Sequence, residues 1–276
     1  MTEGCPPTKY KIKMEQTVQE FNKYKERGAY HWREMEVRSL KRYNAGLAAR
    51  YNLSKDIIIR NCHNPRNVID VGCGDGFFTT MLAEFYKDST ITGFDYNEAA
   101  IMLAKEKIKN LSLSNLSFVQ GDAFKYAEKA DLIVATDVIE HLNKSDEFMR
   151  NCFNILASRG YLFLSTPIRY KEFPDDKYHV HEFFRKELED FSRSFGFTIT
   201  VEQRCSHDYC FIEKYSRRIG FMGVGKIRMY KYLYNIFAIY FGHNVFEHPE
   251  CALPTMHYIL LARGSLTDPP LLRVSR

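Results

Sequence analysis

The run Asp70-Val71-Gly72-Cys73-Gly74-Asp75-Gly76 joins a short apolar segment, Asn67–Val71, to a helical pattern that begins at Phe77. Glycines at such a junction let the backbone turn tightly and come close to a ligand. In open parallel sheets, ligands gather at the carboxyl ends of the strands. G-x-G-x-G is a weak pattern by itself. A nicotinamide or flavin dinucleotide more usually takes G-x-G-x-x-G, whereas here Phe77 occupies the position of that third glycine. Other carboxylates strengthen the signal. Asp95 closes a second apolar run, 23 residues after Gly72; Asp122, in Gly121-Asp122-Ala123, follows a third; Asp137 follows a fourth. Singly, each acid reads as a helix cap or a solvated turn. Four of them, each just past a strand end, form a constellation. An acid at the place of Asp95 accepts hydrogen bonds from ribose hydroxyls, and Asp122 is placed to meet an adenine amino group. The acid at Asp70 suits a ligand with a positive sulfonium and an amino group better than a pyrophosphate.

The elements that must hold these residues follow from periodicity. Strands are expected at Asn67–Val71, Thr90–Phe94, Leu116–Gln120, Asp131–Ala135, Tyr161–Ser165, Thr198–Val201 and His257–Ala262. Helices are expected at Phe77–Tyr86, at Glu98–Asn110 capped by Asn97, from about Ser145 to Ala157, and from Arg185 to Phe195. Alternation of this kind implies an α/β fold: a doubly wound, mostly parallel seven-stranded sheet with helices on both faces and an antiparallel last strand. Residues 9–66 read as an N-terminal helical cap and 67–202 as the core. Residues 203–255 form an insertion too long for a plain loop. The core resumes at 256–264, between tails at 1–8 and 265–276.

The text VIDVGCGDGFFTTMLA, ITGFDYNEAAIMLAKEK, FVQGDAF, DLIVATDVIEHL and YLFLSTP resembles the class I S-adenosylmethionine (SAM)-dependent methyltransferases over residues 67–200. DVIEHL followed by STP is similar to the branch that holds the ubiquinone-biosynthesis and sugar O-methyltransferases. The resemblance implies that SAM is the cofactor and S-adenosylhomocysteine its product. Asp70 and Gly72, Cys73, Gly74, Asp75 and Gly76 would then hold the methionine part. Asp95 would hold the ribose, Tyr96 would flank the adenine, and Asp122 and Ala123 would meet it. Asp137 and Val138 would floor the site near the methyl group.

Methyl transfer to a hydroxyl is helped by positioning and by a general base. His141, past the fourth strand, and His179 and His181, past the fifth, should approach one mouth and are the expected catalytic residues; helix capping or a polar rim is the rival reading. Asp137, Glu140, His141 and His181 also resemble the E-x-x-E-H…H metal set of small-RNA 3′-terminal 2′-O-methyltransferases. Asp137 departs from that pattern, and E-H-L is common in methyltransferases without metal, so no metal is expected. The expected acceptor is a small molecule or one linked to lipid or sugar. An RNA ribose 2′-O-methyltransferase using a divalent ion, and a non-catalytic SAM-binding scaffold, are the alternatives.

The net charge is +5, with an acidic middle between basic ends. From Lys214 to Lys231 there are six Lys/Arg and no acid, and aromatic residues continue through Phe241. Segment 214–241 therefore fits a peripheral membrane contact; a phosphorylated acceptor, single-stranded RNA or a homodimer interface also fits, with nucleic acid the less favoured. Gly28-Ala29-Tyr30-His31-Trp32 is an aromatic cluster placed to close over the cofactor or to pack helices. Seven Cys without a C-x-x-C pair, and no apolar signal region, lead to a cytoplasmic expectation.

Overall fold

The computed structural model describes residues 23–125, 129–169, 176, 178–205, 224–242, 244 and 255–264. Among the described residues three helices come first: α1 (Lys23–Arg27), α2 (Tyr30–Glu34) and α3 (Ala45–Asn61). Asn44 caps α3, its side chain accepting the Leu47 N–H at 3.2 Å. There follow β1 (Asn67–Val71), α4 (Phe77–Phe85), β2 (Thr90–Asp95), α5 (Glu98–Ile108), β3 (Leu116–Gln120), β4 (Ala130–Thr136), α6 (Ser145–Ile155) and β5 (Leu156–Pro167). The chain continues through α7 (Arg185–Ser194), β6 (Phe197–Cys205), α8 (Val224–Tyr240) and β7 (Met256–Arg263).

The seven strands form one sheet in the order β3-β2-β1-β4-β5-β7-β6. β7 is antiparallel to β5 and β6, and the other pairings are parallel. This is the expected fold. Strand order reverses between β1 and β4, so a crevice opens at their carboxyl ends.

Side chains of a strand alternate between faces, so a strand buried on both sides reads as a continuous apolar run. Ile69, Ile133, Leu162, Leu164, Ile259 and Leu261 pack on one face with Phe148, Met149 and Cys152 of α6 and Leu188 of α7. Val68, Leu132, Val134, Phe163, Tyr258 and Leu260 pack on the other with Tyr51, Ile57 and Ile58 of α3 and Phe78, Leu82 and Ala83 of α4.

Two of the differences from the expected boundaries have a clear cause in the sheet. The helix expected to reach Ala157 stops at Ile155, because the fully buried Leu156 already pairs with Ala130 in the sheet. β6 runs on to Cys205 because β7 pairs with it along its whole length, ending at Cys205↔Met256. The expected tails, residues 9–22 of the cap and residues 206–223 of the insertion lie outside the described residues. Cys62, Cys73, Cys152 and Cys205 are buried thiols. No helix among the described residues is long and apolar enough to cross a membrane.

Candidate functional site

After β1 the chain turns through left-handed backbone at Gly72 (φ 73°), Gly74 (φ 57°) and Gly76 (φ 75°). All three positions also need the missing side chain. A Cβ on Gly72 would stand 2.6 Å from Val138 Cγ2, and one on Gly74 would collide with the Tyr24 hydroxyl. The loop is tied to the end of β2. The Gly72 and Cys73 N–H groups donate to the Phe94 carbonyl at 2.8 and 3.0 Å, and the Gly74 N–H donates to Asp95 Oδ2 at 2.9 Å. The Asn97 N–H donates to Asp95 Oδ1 at 2.8 Å. Burial raises the Asp95 pKa, and these two donors oppose the rise.

Asp70 is buried under the loop. Its Oδ2 accepts from Thr79 Oγ1 at 2.6 Å, while Oδ1 has no hydrogen-bond partner among the described residues. Burial pushes this carboxyl up to about 7. Asp75 is fully buried and receives the cap: the His31 N–H and His31 Nδ1 donate to its carboxylate at 3.0 Å each. Trp32 Nε1 donates to the Asp75 carbonyl at 2.8 Å. Along the β2–β3 edge, the Gly121 N–H donates to the Asp95 carbonyl at 3.0 Å. Asp122 Oδ1 accepts from the Phe124 N–H at 2.9 Å, Ala123 is buried and Tyr96 is 71% exposed.

The opposite wall begins at Asp137, whose φ of 55° is left-handed without being glycine. Such strain persists only where surroundings over-determine it. Here the Asp137 N–H donates to the Ser165 carbonyl at 2.9 Å, and the carboxylate pairs with Arg50 of α3. A 3₁₀ turn, Ile139–His141, follows. Glu140 is fully buried. Its Oε2 accepts from Thr166 Oγ1 at 3.0 Å, and Oε1 has no hydrogen-bond partner among the described residues. Burial pushes its carboxyl up to about 7.

The Glu140 carbonyl also accepts the N–H groups of Val180 and His181, at 2.7 and 3.1 Å. That stitch brings His179 beside His141, with ring centroids 4.8 Å apart. Each imidazole is oriented through Nδ1, which donates to the Tyr178 carbonyl in His141 (2.9 Å) and to Glu182 Oε1 in His179 (2.5 Å). A carbonyl or carboxylate only accepts, so each neutral ring keeps its lone pair on Nε2. Burial lowers the His141 pKa, which keeps that ring neutral at physiological pH. Lys23 of α1 closes on this segment, 3.8 Å from Asp176 and 5.0 Å from the Tyr178 ring centre.

Glu140, His141 and His179 each offer a ligand atom within 4.8 Å of the others'. His181 instead pairs through Nε2 with Glu187 at 2.9 Å, and Asp137 with Arg50. Sequence reading did not single out Arg50, Thr79, Thr166 or Glu182. Glu182 carried a faint signal, standing three residues after His179. The others carry no local signal, since their partners lie on different elements.

Residues 63–213 match a family model described as a methyltransferase domain. A malonyl-[acyl-carrier protein] O-methyltransferase of Halalkalibacterium halodurans is 30% identical over 127 residues, 44% of this chain and 44% of that protein. A ubiquinone biosynthesis O-methyltransferase of Coxiella burnetii is 31% identical over 104 residues, 37% of this chain and 43% of that protein. The chain spans about half the length of the curated relatives it matches. Among solved structures, magnesium protoporphyrin IX methyltransferase of Synechocystis PCC 6803 with bound SAH shares the fold. Its TM-score is 0.55 at 14% identity, covering 88% of this chain and 97% of that one.

Proposed function

This chain belongs to the methyltransferase-domain family, and on that premise we propose that it is a SAM-dependent methyltransferase acting on a hydroxyl of a small, sugar-linked or lipid-linked acceptor. The observation that carries the cofactor reading is the buried Asp70 oxygen without a hydrogen-bond partner, beneath a glycine loop whose Gly74 N–H is clamped to Asp95. An orphaned carboxylate oxygen under a bare backbone fits the ammonium end of SAM. Gly72, Cys73, Gly74 and Gly76 give the methionine part close passage, and Asp75 holds that loop to the cap. Asp95 accepts the ribose hydroxyls. Tyr96, Asp122 and Ala123 border the adenine, and Asp137 and Val138 floor the crevice. When bound, SAM supplies an activated methyl group.

The rest of the chemistry is positioning and one proton. His179 is the base: Glu182 holds its Nδ1–H at 2.5 Å, so Nε2 takes the proton of the acceptor hydroxyl and Glu182 steadies the imidazolium. His141 lines the same mouth as a neutral ring, and His181 braces the segment through Glu187. The N-terminal helices cap the acceptor.

The convergence of Glu140, His141 and His179 favours a second reading, a divalent cation that orients the acceptor oxygen. The donor set of two imidazoles and one carboxylate suits zinc or manganese, and the oriented Nδ1 atoms match the support that metal-binding histidines receive. Titration of manganese and zinc into the protein separates the readings. Saturable one-to-one binding lost in His179→Ala supports the cation; no binding leaves His179 as the base.

Calorimetric titration of SAM and its demethylated product tests the cofactor reading. Saturable binding is expected, weakened about a hundredfold in Asp95→Ala, since two charge-assisted hydrogen bonds at ~1.5 kcal/mol each are lost. Folded protein that binds neither compound would refute it.

A further inference from the structure

We propose that the outer face of α8 seats this protein on an anionic phospholipid surface. The inner face of the helix is occupied. Tyr234, Ala238 and Ile239 pack against Tyr43, Ala45, Ala48 and Ala49 at the start of α3. The Asn235 amide donates to the Leu40 and Tyr43 carbonyls at 2.9 and 2.7 Å, and Asn244 donates to the Ala45 carbonyl at 2.8 Å. The opposite face carries Leu233, Phe237 and Tyr240, followed by Phe241, with exposures of 42, 46, 69 and 71%. At 3.6 residues per turn, positions 233, 237 and 240 fall within an arc of about 60°. The Phe237 and Phe241 rings lie 5.6 Å apart. A contiguous apolar stripe left in water marks a surface meant to be covered.

Charge identifies the cover. The loop that Asn235 grips carries Arg38 and Lys41, both exposed and without an ion partner among the described residues. As a sequence, α8 (Val224–Tyr240) contains no acid. A second copy would bring the same Arg38 and Lys41 cations against this one, and like charges would repel. An anionic lipid layer answers both features: headgroups meet the cations, and the aromatic rings enter the boundary beneath them. A helix pinned along one side to α3 lies on such a surface rather than crossing it. α3 also supplies Arg50 to Asp137, so a single helix joins the docking face to the mouth.

The test is co-sedimentation of the purified chain with phosphatidylcholine vesicles, with and without phosphatidylglycerol. Binding is expected only to the anionic vesicles, falling as salt rises. Phe237→Glu with Phe241→Glu should weaken it about a hundredfold, from two rings no longer buried. Arg38→Ala or Lys41→Ala should each weaken it about fivefold. All these variants should bind SAM as the parent does, which shows that they are folded and keeps this test separate from the catalytic reading. Failure to bind anionic vesicles, or unchanged binding by the double glutamate variant, would overturn the proposal. So would a dimeric parent that the double variant turns monomeric in light scattering, since the face would then belong to a second copy.

Discussion

The glycine wall of the crevice draws on residues 70–76, 95–97 and 121–123, successive turns at the ends of neighbouring parallel strands. The histidine wall draws on Arg50, Glu140, Thr166, His179 and Glu182, brought together from the cap, a 3₁₀ turn, β5 and the segment before α7. On the glycine wall the contacts are largely backbone: N–H groups on carbonyls and on Asp95. On the histidine wall they are largely between side chains. Backbone geometry demands particular residue types at particular spacings, so the first wall is written locally. Convergence of side chains demands only that distant residues meet, and many sequences satisfy that.

If the two walls do separate work, substitutions should divide their effects. The largest expected effect is His179→Ala, which should slow methyl transfer about 10²–10⁴-fold while leaving SAM affinity unchanged. A parallel loss of SAM binding, read by calorimetry, would break the division between the walls.

Next comes a property both walls share. Burial holds Asp70 and Glu140 up at about 7, so the folded protein keeps protons that the unfolded chain releases near pH 4. Between those values the unfolded state binds fewer protons. The stability these groups contribute at low pH is therefore lost as pH rises through the window. Asp70→Asn and Glu140→Gln remove that loss. Each should gain on the parent between about pH 5 and pH 8 by ~1–2 kcal/mol, or roughly 2–8 °C in Tm for a chain of this size. Asp70→Asn alone should also weaken SAM binding. Melting curves at both pH values decide this, and identical slopes for parent and variants would mean that neither carboxyl carries the burden.

The smallest effect concerns the cap. Trp32→Phe removes the hydrogen bond to the Asp75 carbonyl, keeps most of the ring packing on Phe77, and should cost about 1 kcal/mol, roughly 2–4 °C in Tm. No change in Tm would mean that the cap is held by ring packing alone.

Much of the fold was legible because its strands are short apolar runs closed by glycine, proline or an acid, and the helices between them are capped or end at such residues. Pro167 does end β5, and Asn97 does cap α5 through the Ala100 N–H. The boundary at Leu156 was not legible, since a buried leucine serves a helix or a strand equally well. In the aromatic cluster, Trp32 and His31 were visible as residues, but not as the clamp on Asp75. A hydrogen bond between positions 44 and 43 residues apart leaves no periodic trace.

By itself, the sequence determined the order of strands and helices, the left-handed glycine turn and the acids at the strand ends, because each is a local demand of backbone conformation or burial. Tertiary structure alone decided that Arg50 meets Asp137, that His179 rather than His181 stands beside His141, and that Leu233, Phe237 and Tyr240 of α8 are exposed. Those outcomes depend on how separate elements pack, and packing is settled by the whole core rather than by any stretch of chain.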